Sequence, residues 1–487
     1  MNAPETTPPN IVIDRRPIWI VVVDRMRRGI LLAIIFLVFA LALTREGPAE
    51  LGPEAYRVLC LFFLCVILWA TNLIPLSATS LLAIGMIPVL GIMDATQVYS
   101  FFGNKAVFFI LGTFILSGAM IACGLSARIA LWVLESRGDN PVRLLGAIYT
   151  LGLLGSCIMS EHAVAAMLFP IVLDIVQTLR LPSGRSPFAK SLFFALAWGC
   201  IIGGSATVLG GGRVPLTLEI LEKTTHYQHT LGILEYSLMV FPLVVLMGAG
   251  GWAVLMLLFR PEAVDLQPAL QNIHRKREQL GKVTFYEMGI GAVLTVTLFV
   301  WFAYGERFGI ANIALFSIVV LFLFNLITWE KVQPHVNWAI ILMYGGAICL
   351  GEVMAQSGAA LWLAQKVFGN LIQSKTVFLL TVVALSTLFT TIMSNSAVIA
   401  VLLPPVLSLC TQYAIDPVLA AMTVVVPSNF AFILPIATPA SALAYSSRCI
   451  SLGEMAFSGG LLALLGGISY WILLQVYWPA MGWFGGA

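Results

Sequence analysis

Residues 158–170 read IMSEHAVAAMLFP and residues 392–404 read IMSNSAVIAVLLP, one phrase written twice, 234 positions apart. The spacing holds outward without a gap. Gly112 pairs with Gly346, Met120 with Met354 and Gly124 with Gly358. A register this long implies two halves built from one unit. In a membrane protein, paired interrupted segments at corresponding positions point to a transport site. The copies differ where chemistry would occur, with Glu161-His162 in one and Asn395-Ser396 in the other.

The class follows from composition. Of 487 residues, 60% are hydrophobic and 10% charged, against about 25% charged in a soluble domain. Apolar stretches near the roughly 20 residues that cross a bilayer recur from residue 30 onward. The net charge of +3 is no nucleic-acid signal, because the basic residues cluster in short loops, as in polytopic proteins. The eight cysteines are scattered through apolar segments with no CxxC pair, so they read as packing residues and not as disulfides or a zinc site. The basic N-terminal stretch lacks a small-residue cleavage site, which predicts an uncleaved first span.

Punctuation by Gly, Pro and charge predicts an all-α polytopic protein with spans at about 30–44, 56–73, 77–93, 104–135, 188–222, 233–259, 286–303, 309–327, 338–366, 417–447 and 457–480. The stretches 142–180 and 374–412 are too long for one helix and are broken at their middle by the duplicated phrase. A lipid-exposed loop at that depth would leave backbone groups unsatisfied. Each stretch is therefore read as a re-entrant hairpin whose tip is buried in protein. With the N-terminus in the cytoplasm, 17 Lys and Arg fall inside and 7 outside, and Arg128 and Arg213 lie within the membrane. The hairpins then open on opposite sides and the repeat is inverted. The expected organisation is a cytoplasmic segment 1–29, a first span and first repeat over 30–259, a cytoplasmic connector 260–284, and a second repeat over 285–487. Arg128 is expected to snorkel toward the cytoplasmic interface.

Four segments depart from lipid-facing sequence. Two are the tips, Ser160-Glu161-His162 and Ser394-Asn395-Ser396. The others are GGSATVLGGGRVP at 203–215 and PSNFAFILPIATPAS at 427–441. Glycine costs a helix about 1 kcal/mol and proline about 3, so both latter segments should unwind. Unwinding frees carbonyls for a cation and helix N-termini for an anion.

At these segments the chain resembles the divalent anion:sodium symporters over roughly residues 50–480. The likeness rests on LWATNLIPLSATS (68–80), GTFILSGAMIACGLSARIA (112–130), VNWAIILMYGGAICLGEVMAQSGAALWLA (336–364), FAFILPIATPASALAYSS (430–447) and the two tips, where the family typically has Ser-Asn-Thr. The resemblance implies an 11-span homodimer with a scaffold and a mobile, elevator-type transport domain. It implies a small anionic substrate, membrane lipid as surroundings, the cell's inner membrane as location, and coupling sodium ions. Carried over by position, Ser394, Asn395 and Ser396 match the second tip, with Ser for Thr. Ala437, Thr438 and Pro439 match the second break, though Ala440-Ser441 replaces Pro-Asn. Sodium is expected at Ser394, Asn395 and Ala437, and in the first half at Ser160 and Gly210. Helix capping is the structural alternative for Ser394 and Asn395, and it can coexist with ligation.

The first half departs further. Glu161 and His162 replace Asn and Thr, and Gly210-Gly211-Gly212-Arg213-Val214 replaces Gly-Thr-Pro-Pro-Asn. A charge at membrane mid-depth costs about 2.5–3.5 kcal/mol on insertion scales and normally faces a functional cavity. Two readings stand: a structural Glu161–Arg213 pair, or a substrate site in which Arg213 holds the anion and Glu161 or His162 carries a proton. Three functions are weighed. The first is a cation-coupled or exchanging transporter of divalent anions. The second is a cation/proton antiporter or arsenite-type permease using Glu161. The third is an intramembrane enzyme, for which only Ser160 and His162 are at hand and no oxyanion donor is evident.

Overall fold

The structure is a computed structural model that describes residues 18–484 except 139, 227, 369–373 and 411, with side chains from residue 26 and none at 306. Every assigned element among the described residues is helical. The segment expected over 1–29 therefore falls mostly outside the described residues. Two compact units divide at Glu46/Gly47. The first contributes one helix, α1 (Ile18–Leu43), whose Met26–Leu43 portion is long and apolar enough to cross a membrane.

In the second unit the first half runs α2 (Pro53–Thr71), α3 (Leu76–Val89), α4 (Ala95–Phe102), α5 (Lys105–Ala122), α6 (Leu125–Arg137), α7 (Pro141–Ile158), α8 (Glu161–Thr178), α9 (Pro187–Gly203), α10 (Arg213–Thr224) and α11 (Ile233–Leu258). The connector carries α12 (Gln267–Gln279). The second half runs α13 (Phe285–Phe308), α14 (Ile310–Leu323), α15 (Trp329–Val332), α16 (Trp338–Gln356), α17 (Ala359–Phe368), α18 (Lys375–Ile392), α19 (Asn395–Ser408), α20 (Pro417–Val425), α21 (Pro439–Ser446) and α22 (Leu452–Ile472).

The 234-residue register of the sequence is also a register of helix boundaries. Leu76 and Val89 of α3 answer to Ile310 and Leu323 of α14, and Pro141 and Ile158 of α7 answer to Lys375 and Ile392 of α18. α4 and α15, α6 and α17, and α8 and α19 each begin 234 residues apart. Two expected spans are not continuous. The stretch 104–135 divides at Gly124 (φ +86°) and 338–366 divides at Gly358 (φ +78°). Left-handed backbone is open to glycine at little cost and ends a helix there. The paired glycines are thus paired helix breaks.

Each hairpin is a pair of helices, α7–α8 and α18–α19, with matching local devices. α7 and α18 start behind side-chain caps, Asn140 accepting from Val142 N–H and Ser374 from Val377 N–H. Each helix leaving a tip carries a proline at the matching place, Pro170 and Pro404. Close packing holds the first hairpin to α9. A Cβ on Gly203 would lie 2.0 Å from the Leu153 carbonyl oxygen, so only glycine lets the two backbones meet.

Arg128 is held by partners on the connector and on α13. Its Nε donates to Glu287 Oε1 at 2.8 Å and its Nη2 to Oε2 at 3.1 Å, and Nη1 donates to the Gly281 carbonyl at 2.9 Å. The bidentate pair clasps α6 to the start of α13. The connector is likewise ordered into a helix that lies on α6 and α8. Lys276 pairs with Asp174 at 2.9 Å, and His274 Nδ1 lies 2.7 Å from Glu135 Oε1.

Candidate functional site

The first tip is built by backbone and fitted with charge. Ser160 caps α8, its Oγ accepting from Ala163 N–H at 3.3 Å. The N–H of Glu161 donates across to the Gly210 carbonyl at 2.8 Å, and Thr207 Oγ1 donates to the Cys157 carbonyl at 2.6 Å. These two bonds fasten the tip to the unwound stretch between α9 and α10. The approach demands glycine, since a Cβ on Gly210 would stand 2.6 Å from the Ser156 carbonyl oxygen.

Inside this junction Glu161 Oε2 lies 3.0 Å from Arg213 Nη1, and both side chains are buried, at 1% and 3% exposure. At that distance Oε2 still receives no aligned N–H, so the contact is one of charge with charge. His162 Nδ1 stands 3.6 Å from Glu161 Oε1, beyond hydrogen-bond reach. Among the described residues, two further buried nitrogens here have no hydrogen-bond partner, Arg213 Nη2 and His162 Nδ1. A buried group left unsatisfied costs about 1–3 kcal/mol. Two nitrogens without partners beside one carboxylate are suited to receiving an anion and a proton.

The second tip is neutral. Ser394 caps α19 through Ala397 N–H, in the manner of Ser160. Thr390 Oγ1 lies 2.9 Å from Asn395 Oδ1 and 2.6 Å from the Ser428 carbonyl oxygen. One hydroxyl proton serves only one of them at a time. Asn395 Nδ2 faces Asn429 Oδ1 at 3.4 Å. Uncharged oxygens gathered in this way are the donor type that a hard monovalent cation takes.

The second break lies between α20 and α21. Thr438 caps α21 through Ser441 N–H at 3.2 Å and reaches Ser441 Oγ at 3.1 Å. Ala437 and Thr438 are buried, and Pro439 is exposed. These three residues make no hydrogen bond to either tip among those described. Their segment is joined to the rest through packing, because α21 lies on α8 and α9 while α10 lies on α19 and α20. Each half thus sends the helix after its break onto the other half. Asn429 strengthens the exchange, with Nδ2 donating to the Ile201 carbonyl at 2.9 Å and to Ser205 Oγ.

Of the expected residues, Ser160, Glu161, Gly210 and Arg213 therefore form one cluster with His162 at its edge. Asn395 and Ser396 lie in a second cluster with Thr390 and Tyr344. Sequence reasoning missed Thr390, Asn429 and Tyr344. Thr390 was within reach, since it stands five residues before Asn395 as Ser156 stands before Glu161. Tyr344 gave no signal, because it sits inside an ordinary apolar helix.

A family model described as the sodium:sulfate symporter transmembrane region matches residues 24–484. The sodium-dependent dicarboxylate transporter SdcS of Staphylococcus saprophyticus is 27% identical over 478 residues, covering 92% of this chain and 91% of that one. SdcS of Staphylococcus aureus is 28% identical over 469 residues, covering 91% and 89%. Among solved structures, the YdaH transporter of Alcanivorax borkumensis superposes with a TM-score of 0.54 at 17% identity, over 80% of this chain and 89% of that one. MtrF of Neisseria gonorrhoeae gives 0.54 at 15% identity, over 78% and 82%. At those identities the likeness speaks for the fold alone.

Proposed function

Because the chain belongs to the sodium:sulfate symporter transmembrane family, we infer that it is a secondary transporter, not an enzyme, that carries a small dicarboxylate-like or sulfate-like dianion across the cell membrane. The sodium-dependent dicarboxylate transporters to which it is similar over nine-tenths of their length support both the anion class and a sodium requirement. The further reading is of two oppositely oriented halves, an N-terminus in the cytoplasm of an inner-membrane protein, and a homodimer in which the hairpins and broken helices move as an elevator.

One observation carries the coupling scheme: the buried Glu161–Arg213 pair, 3.0 Å apart, with Arg213 Nη2 unpartnered. Sodium suits the neutral oxygens of the second half, from Thr390, Ser394, Asn395 and the Ser428 carbonyl. It suits the first half poorly, where a guanidinium already stands. Charge explains what replaces it. An asparagine tip with one sodium ion contributes +1 beside the dianion. Arg213 with ionised Glu161 contributes zero, and Arg213 with protonated Glu161 contributes +1. A proton on Glu161 thus does the electrostatic work of a sodium ion and leaves the guanidinium free to hold a carboxylate or sulfate oxygen. His162 and Ser160 stand at the same junction, and Ser396, Thr438 and Pro439 lie on the opposite segments.

Uptake of labelled succinate and sulfate into proteoliposomes tests the reading. Uptake should require sodium and rise with an inward proton gradient, and Glu161→Gln should keep the sodium requirement while losing the response to acid. Steep sodium dependence that ignores pH, with full uptake by Glu161→Gln, would remove the proton. Cation-driven proton flux without anion uptake would favour the antiporter reading.

A further inference from the structure

One side chain touches both halves of the site. Tyr344, on α16 and 3% exposed, places its Oη 2.7 Å from Ser396 Oγ in the first turn of α19. The same ring lies against Gly212. A Cβ added there would come within 2.2 Å of Tyr344 Cε2 and 2.4 Å of its Oη. Gly212 is the residue on which α10 starts, and Arg213 is the first of that helix. The three helices α10, α16 and α19 pack on one another around this point. Resting on the functional reading above, we propose that Tyr344 is a positioning residue that links cation binding at the second tip to the aim of Arg213 at the first.

The coupling is mechanical and local. In a 2.7 Å contact between two hydroxyls only one donates, and with the second tip empty of cation either one does. A cation drawing on the oxygens at the start of α19 orients Ser396, and the phenol follows because it has no other hydrogen bond among those described. The ring has no slack to absorb the change, since it is buried and sits against a residue without a side chain. Its displacement is passed to Gly212, hence to the first turn of α10 and to Arg213. Coupling of this kind is reciprocal, so the anion should also tighten sodium binding.

The test is equilibrium binding of succinate and of sulfate to purified full-length protein, in sodium chloride and in choline chloride. In the wild type sodium should raise the affinity of the anion that binds by at least about tenfold, about 1.4 kcal/mol of coupling. Tyr344→Phe keeps the ring against Gly212 and removes only the hydroxyl. It should reduce the sodium effect to less than about threefold while leaving the affinity in choline within about twofold of wild type. Ser396→Ala removes the same bond from the other side and should give the same loss, with no added effect in the double variant. A merely structural tyrosine would lower thermal stability and leave the sodium-to-choline ratio intact, and that result overturns the assignment alone. Wild-type protein that binds neither anion, or binds one with no sodium effect, overturns the functional reading and the assignment with it.

Discussion

Replacing the two members of the Glu161–Arg213 pair separately should have unequal effects. At 3.0 Å and an effective dielectric near 20, the attraction is about 5–6 kcal/mol before desolvation. Arg213→Gln removes it and leaves a carboxylate in a site 1% exposed, which places the loss in the range of about 3–5 kcal/mol for a broken buried pair. The shorter amide also stops well short of the carboxylate. Glu161→Gln is isosteric, keeps an oxygen beside Nη1, and spares the burial of one charge. A neutral amide oxygen that turns to accept an aligned N–H from the guanidinium gains about 1.5–3 kcal/mol, and a guanidinium is more weakly hydrated than an ammonium. The net loss should therefore stay within about 2 kcal/mol. Glu161→Gln imitates the protonated state that the transport cycle visits, whereas nothing in the cycle resembles Arg213→Gln. Reversible unfolding in detergent micelles, followed by tryptophan fluorescence for both single variants and the double, measures the difference. The double variant should recover most of what Arg213→Gln loses. Equal losses in the two single variants, with full recovery in the double, would refute the reasoning and leave a pair that only braces the hairpin.

Other outcomes follow from the same geometry. Thr390→Val and Asn395→Ala should each raise the half-saturating sodium concentration for uptake by about tenfold, the size of one lost hydrogen-bonding ligand, with the anion KM at saturating sodium little changed. Gly203→Ala forces a methyl to within 2.0 Å of the Leu153 carbonyl oxygen. It should cost about 1–3 kcal/mol or more, read as a lower unfolding midpoint. On the connector between the halves, hydrogen bonding to Glu135, reinforced by Glu278, raises the His274 pKa above its ordinary value. A raised pKa means that the protonated form supports the contact. That support is complete below about pH 6.5 and is lost as pH climbs through the higher folded value. Protection factors along α12, which remove the base catalysis of exchange itself, should accordingly fall on the alkaline side of neutrality, and His274→Gln should abolish that fall.

Much of this arrangement could be read from the chain because duplication leaves a record that does not depend on packing. Gly124 and Gly358 were visible as a pair, yet each was expected inside a continuous span. A single glycine is tolerated in a helix, and only the backbone reveals the left-handed φ that ends one. Glu161 and Arg213 stood out by charge alone. Their separation could not be deduced, since it depends on the unwinding of residues 204–212 and on the bond from Glu161 N–H to the Gly210 carbonyl. The pairing of Arg128 was hidden for a related reason: its partner Glu287 lies 159 residues away, beyond any local pattern. Tyr344 was the least legible. Its role comes from two contacts, with Ser396 and Gly212, that no periodicity encodes.

A proton on Glu161 that stands in for a sodium ion at the first tip must enter with the anion. Lumenal pH, recorded with a trapped dye during sodium-driven entry of the transported dianion into proteoliposomes at zero membrane potential, tests it most directly. Wild-type protein should acidify the lumen in step with uptake, and Glu161→Gln should take up the anion with little acidification. Equal proton entry in the two proteins, or uptake by the wild type with no change in lumenal pH, would contradict it.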